Sequence, residues 1–500
     1  MKSYIPYFFF LFCITYVAKS QTTAIDSVYT LNNFQKSALL LQKIVDNYGG
    51  KNSLEKSLSF STVETFHFMG HFEAPEKTIP VAKNTEWGCG EKETTLCKSE
   101  ISEYGGSKQQ LDILIAQDSI WLIENGVYNA QGEKARNATS ANLLLFSPSK
   151  LLLKMLNNPI GFRLIVDKPY QYVCLYQLYT KLFYIYVDKK TLTISQIDHI
   201  KYDNVLGEVQ YSQYYQNYQT VQGVKLPTNL KSYAGARLES DLTFSNYSLK
   251  DKLDSGKVKF PEILKQKFNS LKPILKSITI EKISENIHLV KFSKANNKSL
   301  IVNMGDYVAV FEAFADLNAM QELISQSAIL YPGKPIKQVF VTHHHPDHAG
   351  GIKALADESR SLITTKGNAV YFDKILSLPH FSKQYGESKR FLKYEFVENK
   401  SEKTFQSATC PVVAYEIGKQ TFHTQEHLVF YFPNEKFLWT GDLIYMPVNE
   451  AIEKRNPRIK AIYDLIENKK IEVDKIFSAW PLHEQKPFLG IAELQQTFKP

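Results

Sequence analysis

Four histidines and an aspartate crowd one short stretch, His343-His344-His345-Pro346-Asp347-His348, closed by Gly350-Gly351. Imidazole nitrogen and carboxylate oxygen at this spacing suit zinc or another borderline divalent metal. Ile336 to Val341 comes just before, a short apolar, β-branched run that reads as a buried strand. The histidines therefore stand at the carboxyl end of a strand, where α/β folds place their chemistry. In extended chain, residues two apart point the same way. His343, His345 and Asp347 thus share one side, His344 points away, and His348 begins the next turn, free to face a second ion. A chance run of histidines on a surface loop is the competing reading. The preceding strand, the glycine pair and the partners downstream argue against it.

This His-x-His-x-Asp-His stretch resembles the opening motif of the metallo-β-lactamase fold hydrolases, and the further residues of that family follow in order. Thr421-Phe422-His423-Thr424, before the strand-like Leu428 to Phe432 and Pro433, resembles the family's Gly-His-Thr segment with Phe422 in place of glycine. Trp439-Thr440-Gly441-Asp442-Leu443 resembles its Thr-Gly-Asp turn. Pro481-Leu482-His483-Glu484, after the strand-like Lys475 to Ala479, stands where the family has Gly-His-Gly, without the flanking glycines. The resemblance covers residues 275–500.

It implies an αββα sandwich holding two zinc ions. His343, His345 and His423 would bind the first, Asp347, His348 and His483 the second, and Asp442 would bridge them. Iron or manganese suits the same ligands. Three protein nitrogens leave an open position on the first ion. Two ions can share a hydroxide, since one zinc in a favourable site already lowers the pKa of bound water to about 7. Asp347 is the implied catalytic residue, orienting that hydroxide and passing a proton to the leaving group. The implied reaction is hydrolysis of an ester, thioester, lactone or amide in a small molecule. An aspartate at position 442 resembles the thioesterase, lactonase and phosphodiesterase branches; the β-lactamases of this superfamily usually carry cysteine or serine there. A phosphodiesterase of the same fold is the alternative enzyme. A lipid- or acyl-binding carrier with a secondary zinc domain is the alternative from another class.

The chain has 500 residues, which suggests two or three domains. With 44% hydrophobic and 22% charged residues it is an ordinary globular chain. Its net charge of +8 is spread without a basic block, which argues against a nucleic-acid partner. Met1-Lys2, the apolar Tyr4 to Val17 and Ala18-Lys19-Ser20 form a signal-peptide pattern, cut before Gln21. The expectation is an exported protein, periplasmic or secreted, with no transmembrane segment once the signal is removed; a retained anchor is the alternative. Cys13 lacks the small residues that precede a lipidated cysteine. Export permits disulfides, and Cys89 and Cys97 flank the turn-like Gly90-Glu91-Lys92 as a candidate pair. Cys174 reads as a buried thiol and Cys410 as part of a loop before a strand.

The organisation read from this is a signal peptide at 1–20, a β-rich domain at 21–249, a lysine-rich linker at 250–274 and the α/β hydrolase domain at 275–500. In the first domain Phe34 to Tyr48 has helical spacing and stops at Gly49-Gly50. Strands are expected at 62–68, 111–116, 120–123, 171–175, 183–187 and 191–197, with alternation over 202–218 and 242–247 and a helical interruption at 142–156. A helix stopped by Gly-Gly and followed by many strands resembles the half-barrel of lipoprotein carriers, through Tyr48-Gly49-Gly50 and Val221 to Pro227. A generic β-rich accessory domain is the competing reading. In the second domain strands are expected at 278–283, 287–292, 300–302, 307–311 and 362–365, and helices at 317–330, 350–357, 367–376 and 456–468. Loops at 377–410 and 444–456 should rim the cleft. Among the other histidines, His67, His71, His199 and His288 read as structural, His380 as solvent-exposed, and His427 as either packed or touching substrate. Trp480 and Tyr445 read as aromatic core, with pocket lining the alternative. Nothing in the sequence fixes an oligomeric state.

Overall fold

The computed structural model describes residues 31–498 except 91–94, 105–106, 117–118, 125–126, 132, 253–277, 294, 315–316, 357–358, 360, 381–392, 449–451 and 453–455. The signal-peptide segment, most of the lysine-rich linker and the Cys97 side chain lie outside the described residues. No described helix is long and apolar enough to cross a membrane. The chain forms two units. One holds residues up to His67, Pro80–Lys201 and Gln210–Gln266; the other holds Phe68–Ile79, Tyr202–Val209 and Lys267–Pro500.

The first unit is built on a large antiparallel sheet of thirteen strands. Alternation explains why its clearest strand, Lys181–Asp188, was legible: Phe183, Ile185 and Val187 point into the core while the residues between them face out. The same core takes Leu41, Ile44, Val45 and Tyr48 from the helix Leu31–Asn47, and Leu151, Leu152 and Met155 from the helix Pro148–Asn157. Pro148 opens that second helix, separating it from Glu133–Leu144, so the expected interruption is two helices. The two half-barrel cues meet. Gly49 has φ 112, and a Cβ there would run into the Gly223 carbonyl, so only glycine allows the approach. Beside it the Asn47 side chain accepts a hydrogen bond from Lys225 Nζ at 2.7 Å. Four strands were not foreseen: Thr78–Cys89, Thr95–Tyr104, Val127–Gln131 and Phe162–Asp167.

The second unit has two sheets. Its seven-stranded sheet runs Ile278–Lys282, Ile287–Phe292, Asn297–Asn303, Val308–Phe311, Ile336–Phe340, Ser361–Thr364 and Lys393–Phe396 in spatial order. The first three pairings are antiparallel and the last three parallel. The six-stranded sheet runs Glu402–Phe405, Val412–Glu416, Leu428–Phe432, Phe437–Trp439, Lys475–Phe477 and Leu489–Gly490. Strand period sorts the apolar residues into layers. Leu300, Phe311, Phe340 and Ile363 face Phe430, Phe432 and Trp439 between the sheets. The alternate residues Ile301, Val310, Val339 and Leu362 pack outward on Met320, Leu355 and Phe372 of helices. Val429, Leu438 and Ile476 do the same against Ile459, Ile462 and Leu465 on the other side. The result is the expected α/β architecture, an αββα sandwich. Each fully buried Phe in its centre contributes about 1.5–3 kcal/mol, and Phe311 and Phe340 stack with centroids 4.3 Å apart. The expected cleft loop at 377–410 contains two short strands, Lys393–Phe396 and Glu402–Phe405.

Candidate metal centre

Strand Ile336–Phe340 ends as expected at the histidine motif, and the chain then turns into the short helix Pro346–Ala349. That turn is held from both sides. Ala313 N donates to His348 O at 2.8 Å, Gly351 N donates to Ala313 O at 2.6 Å, and Leu428 N donates to Thr342 O at 2.8 Å. His343, His345 and His348 are buried, whereas Asp347 is partly open. His423 follows Phe422, which caps the helix Gly418–Thr421 in the left-handed conformation at φ 55. Glycine adopts that conformation without strain, whereas a phenylalanine there is uncommon. Asp442 stands on a turn pinned by Thr440 N to Phe477 O at 3.0 Å and Ala479 N to Gly441 O at 2.6 Å.

These segments bring six of the seven expected ligands together. His343 Nε2 and His423 Nε2 are 3.2 Å apart. Asp442 Oδ2 is 2.9 Å from His423 Nε2, and its Oδ1 is 3.7 Å from His343 Nε2 and 4.0 Å from His348 Nε2. Asp347 Oδ2 is 3.4 Å from His348 Nε2. The His345 ring centroid lies 4.4 Å from that of His343 and 4.6 Å from that of His423. Two nitrogens on one tetrahedral zinc stand about 3.3 Å apart, given Zn–N of about 2.0–2.1 Å. The spacing therefore fits an ion.

The surroundings select which nitrogen each histidine offers. Thr342 Oγ1 lies 3.0 Å from His343 Nδ1, leaving Nε2 for an ion. The Phe72 carbonyl accepts a hydrogen bond from His345 Nε2 at 3.0 Å, leaving Nδ1 for an ion. Glu312 Oε1 lies 3.4 Å from His348 Nδ1, leaving Nε2. Such outer partners orient metal-binding histidines. His348 Nε2 and Asp442 Oδ1 are buried atoms that make no protein hydrogen bond, only ion-pair contacts at 3.4–4.0 Å, a costly arrangement that a bound cation would relieve.

Without an ion the electrostatics favour neutral His343 and His345 but a protonated His348, whose proton metal binding would displace. Burial holds His343 and His345 well below the usual histidine range, so both are neutral donors at pH 7. Burial opposes ionisation of Asp442, but His423 and then His348 outweigh it and keep the carboxyl well below its usual range. Burial likewise opposes a charge on His348; Asp347 and Glu312 outweigh it and raise its pKa.

The seventh expected ligand is placed elsewhere. His483 is exposed, its Nε2 lies 2.7 Å from the Ser293 carbonyl, and its amide donates to Asn296 Oδ1 at 2.7 Å. His427 is fully buried, stacks on His343 at 4.6 Å and lies 3.1 Å from Thr440 O through Nε2, and burial lowers its pKa to about 3. It comes within 4.8 Å of the ligand atoms of His343, His423 and Asp442. His344 is buried beside Tyr371, on the far side of the motif as expected.

Several expectations are corrected. His380 is buried: its Nδ1 lies 3.1 Å from the Tyr202 hydroxyl and its Nε2 3.2 Å from Val205 O. Trp480 and Tyr445 are exposed rather than in the core, each standing beyond the end of a strand, Lys475–Phe477 and Phe437–Trp439. His71, read as structural, lies 3.4 Å from Asp347. Glu312 was missed; it ends an apolar strand with no motif around it, and only the fold brings it to His348. Arg458, in the first turn of the helix Pro457–Lys469, was also missed, and its Nη1 lies 3.9 Å from Asp442 Oδ2.

Residues 296–480 match the family model of the metallo-beta-lactamase superfamily. A curated relative, a hydroxyacylglutathione hydrolase from Nostoc punctiforme, is 26% identical over 166 residues, 33% of this chain and 51% of the relative. The chain thus spans about half the length of the curated relative it matches. Solved structures similar over 44% of this chain include two metallo-beta-lactamases. A metallo-beta-lactamase from Pontibacter korlensis, 96% covered, has 17% identity and a TM-score of 0.33. A metallo-beta-lactamase from Pseudomonas aeruginosa in its mono-zinc form, 93% covered, has 16% identity and a TM-score of 0.33.

Proposed function

Residues 296–480 lie in a domain of the metallo-β-lactamase superfamily, and from that premise we propose that the protein is an exported, metal-dependent hydrolase of a small acyl compound. The resident ions are two zincs. One observation carries the reading: buried ligand atoms of His343, His423 and Asp442 converge at ion-binding distances, and the other nitrogens of His343, His345 and His348 face outer partners. When bound, divalent metal ions acidify water toward neutral pH and polarise a carbonyl oxygen. The chain's own residues supply the rest. His343, His345, His423 and Asp442 would hold the first ion, and Asp347 and His348 would face the second. Asp347, partly open and ionised, accepts a proton from the attacking water and returns it to the leaving group. Thr342, Glu312 and the Phe72 carbonyl keep the histidines in the ligating tautomers.

Thioesters lead the candidate substrates, because the curated relative is named for one. The test is a hydrolysis screen of the full chain, zinc-loaded, across acyl thioesters, lactones, β-lactams and phosphodiesters. Turnover of an acyl ester or thioester that disappears in Asp442→Ala supports the proposal. Hydrolysis confined to phosphodiesters would replace it with the phosphodiesterase reading.

A further inference from the structure

The segment Phe68–Ile79 belongs to the second unit, although the chain passes through it early. His345 and Phe72, which share a hydrogen bond, are 273 positions apart. That bond fixes the His345 tautomer. The neighbouring residue reaches the other half of the motif. His71 Nε2 lies 3.4 Å from Asp347 Oδ1, while Oδ2 lies 3.4 Å from His348 Nε2. The two oxygens of Asp347 are thus divided between His71 and the side of the second ion.

The His71 ring is itself held. It stacks on Phe68 with centroids 4.6 Å apart and planes 14° from parallel, and it lies 5.2 Å from the His345 ring. The segment is tied down by Gln425 N donating to Glu73 O at 2.7 Å, and Glu73 is paired with Lys77. Its approach to the motif depends on Gly70. That residue has φ 84, and a Cβ there would stand 3.0 Å from Pro346 Cγ. A loop packed only for stability would not need two of its residues aimed at two successive ligands.

We propose that Phe68–Ile79 is a working part of the metal centre, with His71 a positioning residue that holds Asp347 toward the second ion. This rests on the metal-hydrolase reading above. A carboxylate with one oxygen fixed loses less freedom when the other binds an ion, so His71 contributes to affinity without touching the metal.

The experiment is a zinc titration of the metal-stripped full chain against a chromophoric chelator, for wild type, His71→Ala, His71→Gln and Gly70→Ala. His71→Ala should lose about 10- to 100-fold in affinity for one ion, as other outer partners do. His71→Gln should recover most of it, since its amide can donate to Oδ1. Gly70→Ala, which pushes the segment from Pro346, should weaken the same ion. The metal-free melting temperature of His71→Ala should equal that of wild type, because the side chain is partly exposed. Wild-type zinc affinity in His71→Ala overturns the proposal alone. A loss that glutamine does not restore makes His71 a ligand and overturns the positioning role. A wild type that binds no zinc overturns this inference together with the metal-hydrolase reading.

Discussion

Glu312 is a buried carboxylate facing three donors, and Glu312→Gln tests why it is there. Oε1 lies 3.4 Å from His348 Nδ1 and 3.3 Å from Trp439 Nε1, and Oε2 accepts from Thr342 N at 3.4 Å. Glu312 is fully buried and sits in the left-handed region at φ 67. A carboxylate accepts at both oxygens. Glutamine keeps the volume but turns one oxygen into an amino group, so one N–H must face another donor whichever way the amide lies. Leaving such a buried donor unsatisfied costs about 1–3 kcal/mol. If the amino group faces Oε1's partners, His348 loses the contact that leaves Nε2 to the ion. Outer-partner losses of this kind weaken metal binding about 10- to 100-fold, equivalent to roughly 1.4–2.7 kcal/mol. The assay is zinc competition on the metal-stripped variant, paired with its metal-free thermal unfolding. Both should shift, affinity by at least about tenfold. Unchanged zinc affinity with a lowered melting temperature would refute the reasoning and leave Glu312 as a structural carboxylate.

Asp347→Asn keeps the side-chain shape but cannot take up a proton; under saturating zinc its turnover should fall about 100- to 10,000-fold, and recovery to within a few-fold of wild type would reduce Asp347 to a ligand. In the first unit His199 is buried between Phe183 and Tyr211, and burial holds its pKa at about 4, below the ordinary 6.5. It stays neutral in the fold while the unfolded chain binds the proton, so stability present above about pH 6.5 is lost as pH falls toward 4, by about 2 kcal/mol near pH 5. His199→Phe should flatten this acid limb, read as hydrogen-exchange protection of strand Lys181–Asp188; an unchanged pH slope would contradict it.

What was legible in the sequence was local. The opening ligands lie in one run after a buried strand, and His423 and Asp442 each follow or precede an apolar strand in order. Layer positions such as Phe311, Phe340 and Phe430 follow from strand period. What escaped depends on contacts between distant segments. Glu312 and His71 have no neighbours in sequence that mark them, and His380 is buried where the distant Tyr202, Val205 and Gly207 reach it. Thr78–Cys89 carries Pro80 and Gly88, which argue against a strand until its neighbour Thr95–Tyr104 supplies the register. Lys393–Phe396 and Glu402–Phe405 are four residues each and half charged, too short for a period to show. His483 shows the opposite failure. Its place in the order of motifs suggests a ligand, but its ring turns to Ser293.

The central claim is that His343, His423 and Asp442 form a metal centre, and the most direct measurement is elemental analysis of the purified full chain beside Asp442→Ala. The account predicts two zinc ions per wild-type chain and a loss of at least one in the variant, because Asp442 lies within 4.0 Å of nitrogens on both sides of the site. Wild-type protein carrying no stoichiometric divalent metal, after purification without chelators and with zinc supplied, would contradict it.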